Sequence, residues 1–414
     1  MWRRFCDSCR WEIPALETKT HLVCAASILM AVYLWLLPIG HTIAMRNLAF
    51  FLLIFLTLWA AWRYSLRLHL PLALPWLVYG AVALFSVTYA IDPLYSLGEV
   101  KKEVGYALLG IMLAASWVRN APSLSRLMAM LIIGNFLMVG ASLVKGLALH
   151  PFWHDPGGYP QIDSLYDGVG KFSTYLVTVI PFIFAYTMLL PHHAVKRRAL
   201  LYLLLGGNGL ALYLTSNRMG QLALAGEIFL AVAVVAVQKR AKIKLLLAAT
   251  VLLIAIGGIG ARLMMERSPQ HDPRWTVWRI AIDNIKSKPL SGGGFGRYAF
   301  TLRNPTFRRT HSQLWHAHNM ILDKGVQMGL PGILAFVLLL AAAGRAMWPR
   351  RALAAHRALY GYALAGIVMT GGIFLKNMTD DFFVNDGAFL YWILTGAVIG
   401  ALANERSHIE GRRE

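Results

Sequence analysis

The sequence predicts an all-α polytopic membrane protein of about twelve transmembrane helices, with one large polar loop between the ninth and the tenth. Three observations carry this. The 414 residues are 57% hydrophobic and only 14% charged, with a mean hydropathy of +0.53, whereas soluble domains carry roughly 25% charged residues. Apolar runs long enough to cross about 30 Å as a helix recur along the chain. The one long polar stretch, 261–318, interrupts them once.

The runs fall at 21–38, 44–62, 72–90, 104–118, 127–148, 172–190, 199–214, 220–238, 245–260, 319–344, 358–375 and 387–403. The run 104–118 is short, and 319–344 is long with a polar start. No small-residue cleavage site follows the first run, so it reads as an anchor and not as a removable signal. The chain then divides into a tail (1–20), nine spans (21–260), the polar loop (261–318), three spans (319–403) and a second tail (404–414).

Charge sets the orientation. Alternate connections carry Arg3, Arg4, Arg10 and Lys19; Arg63 and Arg67; Arg119 and Arg126; Lys196 to Arg198; Lys239, Arg240, Lys242 and Lys244; Arg345, Arg350, Arg351 and Arg357; and Arg406, Arg412 and Arg413. These are expected on the cytoplasmic side, which puts both termini there. The other connections are poor in Lys and Arg, and 378–386 is acidic through Asp380, Asp381 and Asp386. The exception is 261–318, with ten Lys or Arg against three acids. Long loops cross regardless of charge, so it is expected on the outer face.

The formal charge of +20 admits nucleic acid, anionic lipid or an anionic substrate as partner. The basic residues lie between apolar spans and form no separate domain, which excludes nucleic acid. A concentrated positive field at the outer face suits a phosphate-bearing ligand; a solvated loop touching anionic headgroups would carry the same charge. Cys6 and Cys9 form a lone C-x-x-C with no second pair, too few ligands for a zinc site.

Within the loop, Asp272-Pro273 is a helix start. Trp275, Trp278, Ile282 and Ile285 follow on one face, Arg279, Asp283 and Lys286 on the other, and Pro289 ends the helix. Two Trp on the apolar face suit a helix lying along the outer leaflet. Arg274 sits in its first turn, where free N–H groups favour anions. The glycines of Ser291–Arg297 make a tight turn and not a Walker loop, with Arg297 as a further phosphate candidate. Ser216-Asn217-Arg218 is a very short outward turn that holds Arg218 near membrane depth, where ionisable residues are functional by default. His318 closes the loop and is suited to proton exchange; a capping role would place a His there as well. His316, two residues earlier, leaves an H-x-H metal pair open. Lys101, Lys102 and Glu103, the pair Asp380 and Asp381, and the aromatic connection 149–171 are further outward polar candidates.

His318-Asn319, nine residues, then Gly329-Leu330-Pro331-Gly332 resembles the signature of the O-antigen ligase family, within the O-antigen ligase and polymerase superfamily. The Ser216-Asn217-Arg218 turn, and Arg274 with Trp278 ahead of Lys288-Pro289-Leu290 and a Gly-rich turn, resemble that family's further motifs. The likeness covers about 170–345 and elsewhere only topology. It implies a GT-C-like glycosyltransferase without cofactor or metal. The implied donor is a glycan on undecaprenyl pyrophosphate and the implied acceptor a sugar hydroxyl of the lipid A core, at the periplasmic face of the bacterial inner membrane. By motif match, Arg218 and Arg274 hold the pyrophosphate and His318 acts at the acceptor hydroxyl. Arg279, Arg297, His316, Asn319 and Lys101 form a second rank of substrate contacts. An O-antigen polymerase and a protein O-oligosaccharyltransferase share these features.

Physical chemistry gives the same roles. The departing diphosphate gains charge in the transition state, and arginine forks match its oxygens. The attacking hydroxyl must lose a proton to a base, and direct displacement inverts C1. A transporter of two six-span halves is the rival class. The short central connection 191–198, the lack of a repeat and the scarcity of acids in spans argue against it. Glu227 is nearly alone among them, and an interhelical hydrogen bond is expected for it.

Overall fold

The computed structural model describes residues 20–149, 162, 165, 168–238, 273–311, 314–350, 353 and 356–410. The Cys6/Cys9 pair, the ninth span 245–260, most of the connection 149–171 and the expected cap Asp272 lie outside them. Among the described residues every regular element is helical. In chain order these are α1 Thr20–Leu36, α2 Ile43–Tyr64, α3 Ala73–Val87, α4 Pro93–Glu99, a π-helical turn Val100–Gly105, and α5 Tyr106–Trp117. Next come α6 Ala121–Leu149, α7 Val169–Leu189, α8 Val195–Leu214, α9 Arg218–Gln238, α10 Pro273–Ser287, α11 Tyr298–Arg303 and α12 Pro305–Thr310. The last three are α13 Met320–Ala346, α14 Arg357–Lys376 and α15 Asn385–Glu410. Seven (α2, α6, α7, α9, α13, α14 and α15) are long and apolar enough to cross a membrane, and α1 and α3 are shorter apolar helices. The chain is a multi-pass membrane protein.

Three spans differ in detail from their apolar runs. The short run 104–118 is the end of a longer rod: Asp92 accepts the Tyr95 N–H at 3.0 Å and Pro93 opens α4, which runs through the π turn into α5. α8 is long enough to span but begins with Lys196, Arg197 and Arg198 and carries Asn208. Asn208 is satisfied by a reciprocal amide pair with Asn135 of α6, at 3.0 and 2.9 Å. Glu227 differs from expectation. It is buried against Gly372 of α14, and neither carboxyl oxygen has a hydrogen-bond partner among the described residues.

The long run 319–344 is broken. Gly329 takes φ 67°, ψ −161°, splitting α13 into a polar first piece and an apolar second. Pro331 has no N–H to offer the Gln327 carbonyl. The Leu330 N–H, which would have served Val326, turns instead to Pro289 O at 2.7 Å. The two freed carbonyls accept from the Gly-rich turn: Gly293 N–H to Val326 O at 2.9 Å, Gly294 N–H to Gln327 O at 2.9 Å. The Gly-rich turn and the Gly-Leu-Pro-Gly motif are therefore two halves of one joint. A Cβ on Gly329 would stand 2.4 Å from Pro289 O. We expect Gly329→Ala to destabilise the protein by about 1–3 kcal/mol, read as a lowered Tm in detergent; an unchanged Tm would mean the joint is loose.

The connections sort to two ends. At one, Arg119 bonds the Arg67 carbonyl, Arg357 bonds Met188 O at 2.8 Å, and Tyr362 of α14 meets Ser125 of α6 at 3.1 Å. At the other, Gly40 N–H meets Leu165 O, Ile91 N–H meets Gly293 O, Ile162 N–H meets Leu214 O, and Arg46 pairs with Asp386 at 2.5 Å. Among the described residues the first end gathers basic connections and the second gathers the others.

Candidate active site

The second end holds a buried polar cluster built by two turns clasped together. Asn319 caps α13: its Oδ1 accepts from Ile321 and Leu322 N–H at 2.9 and 3.0 Å. Its Nδ2 donates to Met378 O at 2.7 Å, and Met320 N–H donates to Asn377 O at 2.9 Å. Asn377 in turn accepts the Phe382 N–H at 2.7 Å, folding 377–383 back on itself. The clasp sets His318 against Asp380 and Arg297 against Asp381.

His318 stands in the left-handed region at φ 48°, which costs a non-glycine residue some strain. Its Nδ1 lies 3.6 Å from Asp380 Oδ1, in ion-pair range but beyond a hydrogen bond, and both ring nitrogens are buried without a hydrogen-bond partner among the described residues. Asp380 also faces Lys376, Oδ2 to Nζ at 3.7 Å. Burial alone would raise the Asp380 carboxyl; the neighbouring His318 and the charges of Lys376 and Arg274 pull it below its ordinary value. Arg274 and His318 thus act on one carboxylate.

His316 stacks on His318 with ring centroids 3.9 Å apart, and its Nδ1 accepts the His318 N–H at 3.1 Å. Burial, then the charges of Arg297 and His318, push the His316 imidazole down to about 3. It stays neutral and orients the backbone of its neighbour.

Arg297 is buried between two carboxylates. Its Nη2 lies 3.2 Å from Asp381 Oδ2 and also bonds the Asp381 carbonyl, its Nε lies 3.9 Å from Asp323 Oδ2, and its guanidinium lies over Trp315 at 5.6 Å. Burial would raise the Asp381 carboxyl, but Arg297 and His316 bring it to about 2. His316, Asp323 and Asp381 bring ligand atoms within 4.8 Å of one another, a donor set suited to a divalent ion. The Arg297 guanidinium already lies against both carboxylates, and Gln327 Nε2 donates to Asp323 Oδ2 at 3.1 Å. The residues therefore do not fit a metal: Arg297 is the cation of this cluster.

The helix α10 packs on the protein through a stripe beside its Trp pattern. Val277 and Ala281 are buried, with Trp278 and Ile285 half-buried beside them, against Ala299, Phe300 and Val326. Trp275 and Ile282 are exposed. Arg274 precedes Val277 and Ala281 by three and seven residues, so it shares their inward face, while Arg279 is exposed. Arg218 is the first residue of α9 and half-buried; Ser216 at φ 52° and Asn217, whose Oδ1 accepts the Gly220 N–H at 2.8 Å, form the turn before it. Gly220 lies against Ser173 of α7, and Gly170 at the start of α7 lies against Phe382, so Arg218 belongs to the same end.

Lys101 is exposed on the π turn. Its neighbour Glu103 turns inward to Lys324 at 2.9 Å, a buried pair whose ammonium lies 4.8 Å from the Phe295 ring centre. Asp323, Lys324 and Lys376 escaped the sequence reading. Each stands in the end turn of an apolar span, where a charge reads as a boundary. The i, i+4 spacing of Lys376 and Asp380 was the available signal.

Residues 199–337 match a family model described as O-antigen ligase. No curated protein matches the chain. The matched stretch contains Arg218, Arg274, His318 and the Gly329–Gly332 joint, and stops short of Lys376, Asp380 and Asp381.

Proposed function

We propose that this chain moves an O-antigen glycan from undecaprenyl pyrophosphate to a sugar hydroxyl of the lipid A core, a reading supported by the match of residues 199–337 to a family model described as O-antigen ligase. The reading takes the cluster end as periplasmic, the membrane as the bacterial inner membrane, and both termini as cytoplasmic. One observation carries it: His318 sets its Nδ1 edge 3.6 Å from the Asp380 carboxylate, and its ring nitrogens have no hydrogen-bond partner among the described residues.

That arrangement supports a single displacement. Asp380 favours the tautomer with the proton on Nδ1, leaving the Nε2 lone pair for the acceptor. As the acceptor oxygen bonds to C1, Nε2 takes its proton. The C1–O bond to phosphate breaks, and its electrons leave on the diphosphate. Arg274 and Arg218 neutralise that growing charge. Arg297 and His316 are assigned to holding the turn, and Asn319 to capping α13, because Arg297 pairs with Asp381, His316 Nδ1 accepts the His318 N–H and Asn319 Nδ2 donates to Met378 O. Arg279 and Lys101, both exposed, are left to the approach of an anionic substrate.

Membranes containing the protein, supplied with labelled donor and purified lipid A core, are expected to yield labelled lipopolysaccharide. Longer lipid-linked chains would identify a polymerase, labelled protein an O-oligosaccharyltransferase, and no conversion by purified protein in detergent a transporter. Because Arg297 fills the cation position between Asp323 and Asp381, EDTA is expected to leave transfer intact; inhibition reversed by a divalent ion would refute that assignment.

A further inference from the structure

The bundle has a concave feature at the end away from His318. Helices α7 and α9 each pack closely along α14 but touch one another far less, so α14 forms the floor of a groove between them. Pro181 inside α7 removes one helical hydrogen bond and disturbs the turn before it. The groove, about 220 Å³, is lined by Pro181, Phe184 and Met188 of α7, Ala231 of α9, and Leu364 and Val368 of α14. Arg357 and Tyr360 also line it, where α14 begins.

Its length and polarity say what fits. From Arg357 to Val368 the helix rises roughly 16 Å at 1.5 Å per residue, about half of a 30 Å hydrocarbon core. α14 reaches the His318 cluster at its other end, through Lys376, so the groove belongs to the opposite leaflet. The Arg357 Nη2 donates to Met188 O at 2.8 Å. That pins the guanidinium to the end of α7 and leaves further N–H donors for a phosphate. Lys196 and Arg197, exposed at the start of α8, follow α7 directly, and neither 188–200 nor 356–362 contains an acid.

We propose that this groove binds one acyl chain of an anionic glycerophospholipid, whose phosphate rests on Arg357. A leaflet-length apolar slot ending at a tethered guanidinium matches such a lipid in both parts. The polyprenyl donor cannot meet Arg357 with its head while its pyrophosphate lies at the other face.

Native mass spectrometry of the full-length protein in detergent tests this, with phosphatidylglycerol, phosphatidylethanolamine and undecaprenyl phosphate as probes. The wild type should retain one phosphatidylglycerol under activation that strips phosphatidylethanolamine. Arg357→Glu should weaken that retention about tenfold or more, the loss of one charge-assisted contact. Gly361→Leu should do likewise by filling the groove; a Cβ there meets only Leu189, at 3.8 Å, so the fold has room for it. Circular dichroism should show both variants as helical as the wild type. Equal retention by both variants, equal retention of the two phospholipids, or displacement of phosphatidylglycerol by undecaprenyl phosphate would overturn the assignment. Binding is read without turnover, so failure of the transferase reading leaves this result standing.

Discussion

His318→Gly is expected to lower glycan transfer by about 10²–10⁴-fold, the usual contribution of a general base, while leaving the protein as stable as before. The substitution is unusually clean. His318 holds φ 48°, a conformation glycine adopts freely, so the change removes the imidazole and relieves strain in one step. The His318 N–H that donates to His316 is kept. Asp380→Asn should reduce transfer as well, since an amide no longer fixes the Nδ1 proton. Imidazole added to His318→Gly should restore part of the rate. Transfer within a few-fold of wild type in a well-folded His318→Gly would end the base assignment.

Arg297→Ala is expected to destabilise the protein by about 3–5 kcal/mol, the range for removing one partner of a buried ion pair. It leaves the Asp381 and Asp323 carboxylates facing each other without their cation. A large fall in Tm in detergent is the readout, compared with Arg279→Ala, an exposed arginine expected within about 0.5 kcal/mol of wild type. Adding Asp381→Asn and Asp323→Asn to Arg297→Met should recover much of the loss. If Arg297→Ala abolished transfer while melting like the wild type, Arg297 would be a substrate clamp and not a structural cation.

The bundle was legible because its signals are local and repeated. Among the described residues the helices follow the apolar runs, and the connections sorted by Lys and Arg gather at two ends. The break in α13 was half legible: Gly329 and Pro331 are visible breakers, but their partners at Gly293 and Gly294 lie more than thirty residues away. The inward direction of Arg274 was available from its spacing to Val277 and Ala281, yet the more conspicuous Trp residues drew the eye to a different stripe. The carboxylates that position the charged groups were hardest to read. Asp380 and Asp381 meet His318 and Arg297 across about sixty and eighty residues, and a pairing of that kind leaves no periodicity in the chain.

The clasp between Asn319 and the 377–378 turn has a temporal side. Arg218, Arg274 and His318 are all synthesised well before Asp380. Until α14 and α15 insert, the imidazole lacks its acidic companion and the loop lacks its anchor. A nascent or prematurely ended chain would therefore carry every recognisable motif and, under the proposed reading, show no transfer.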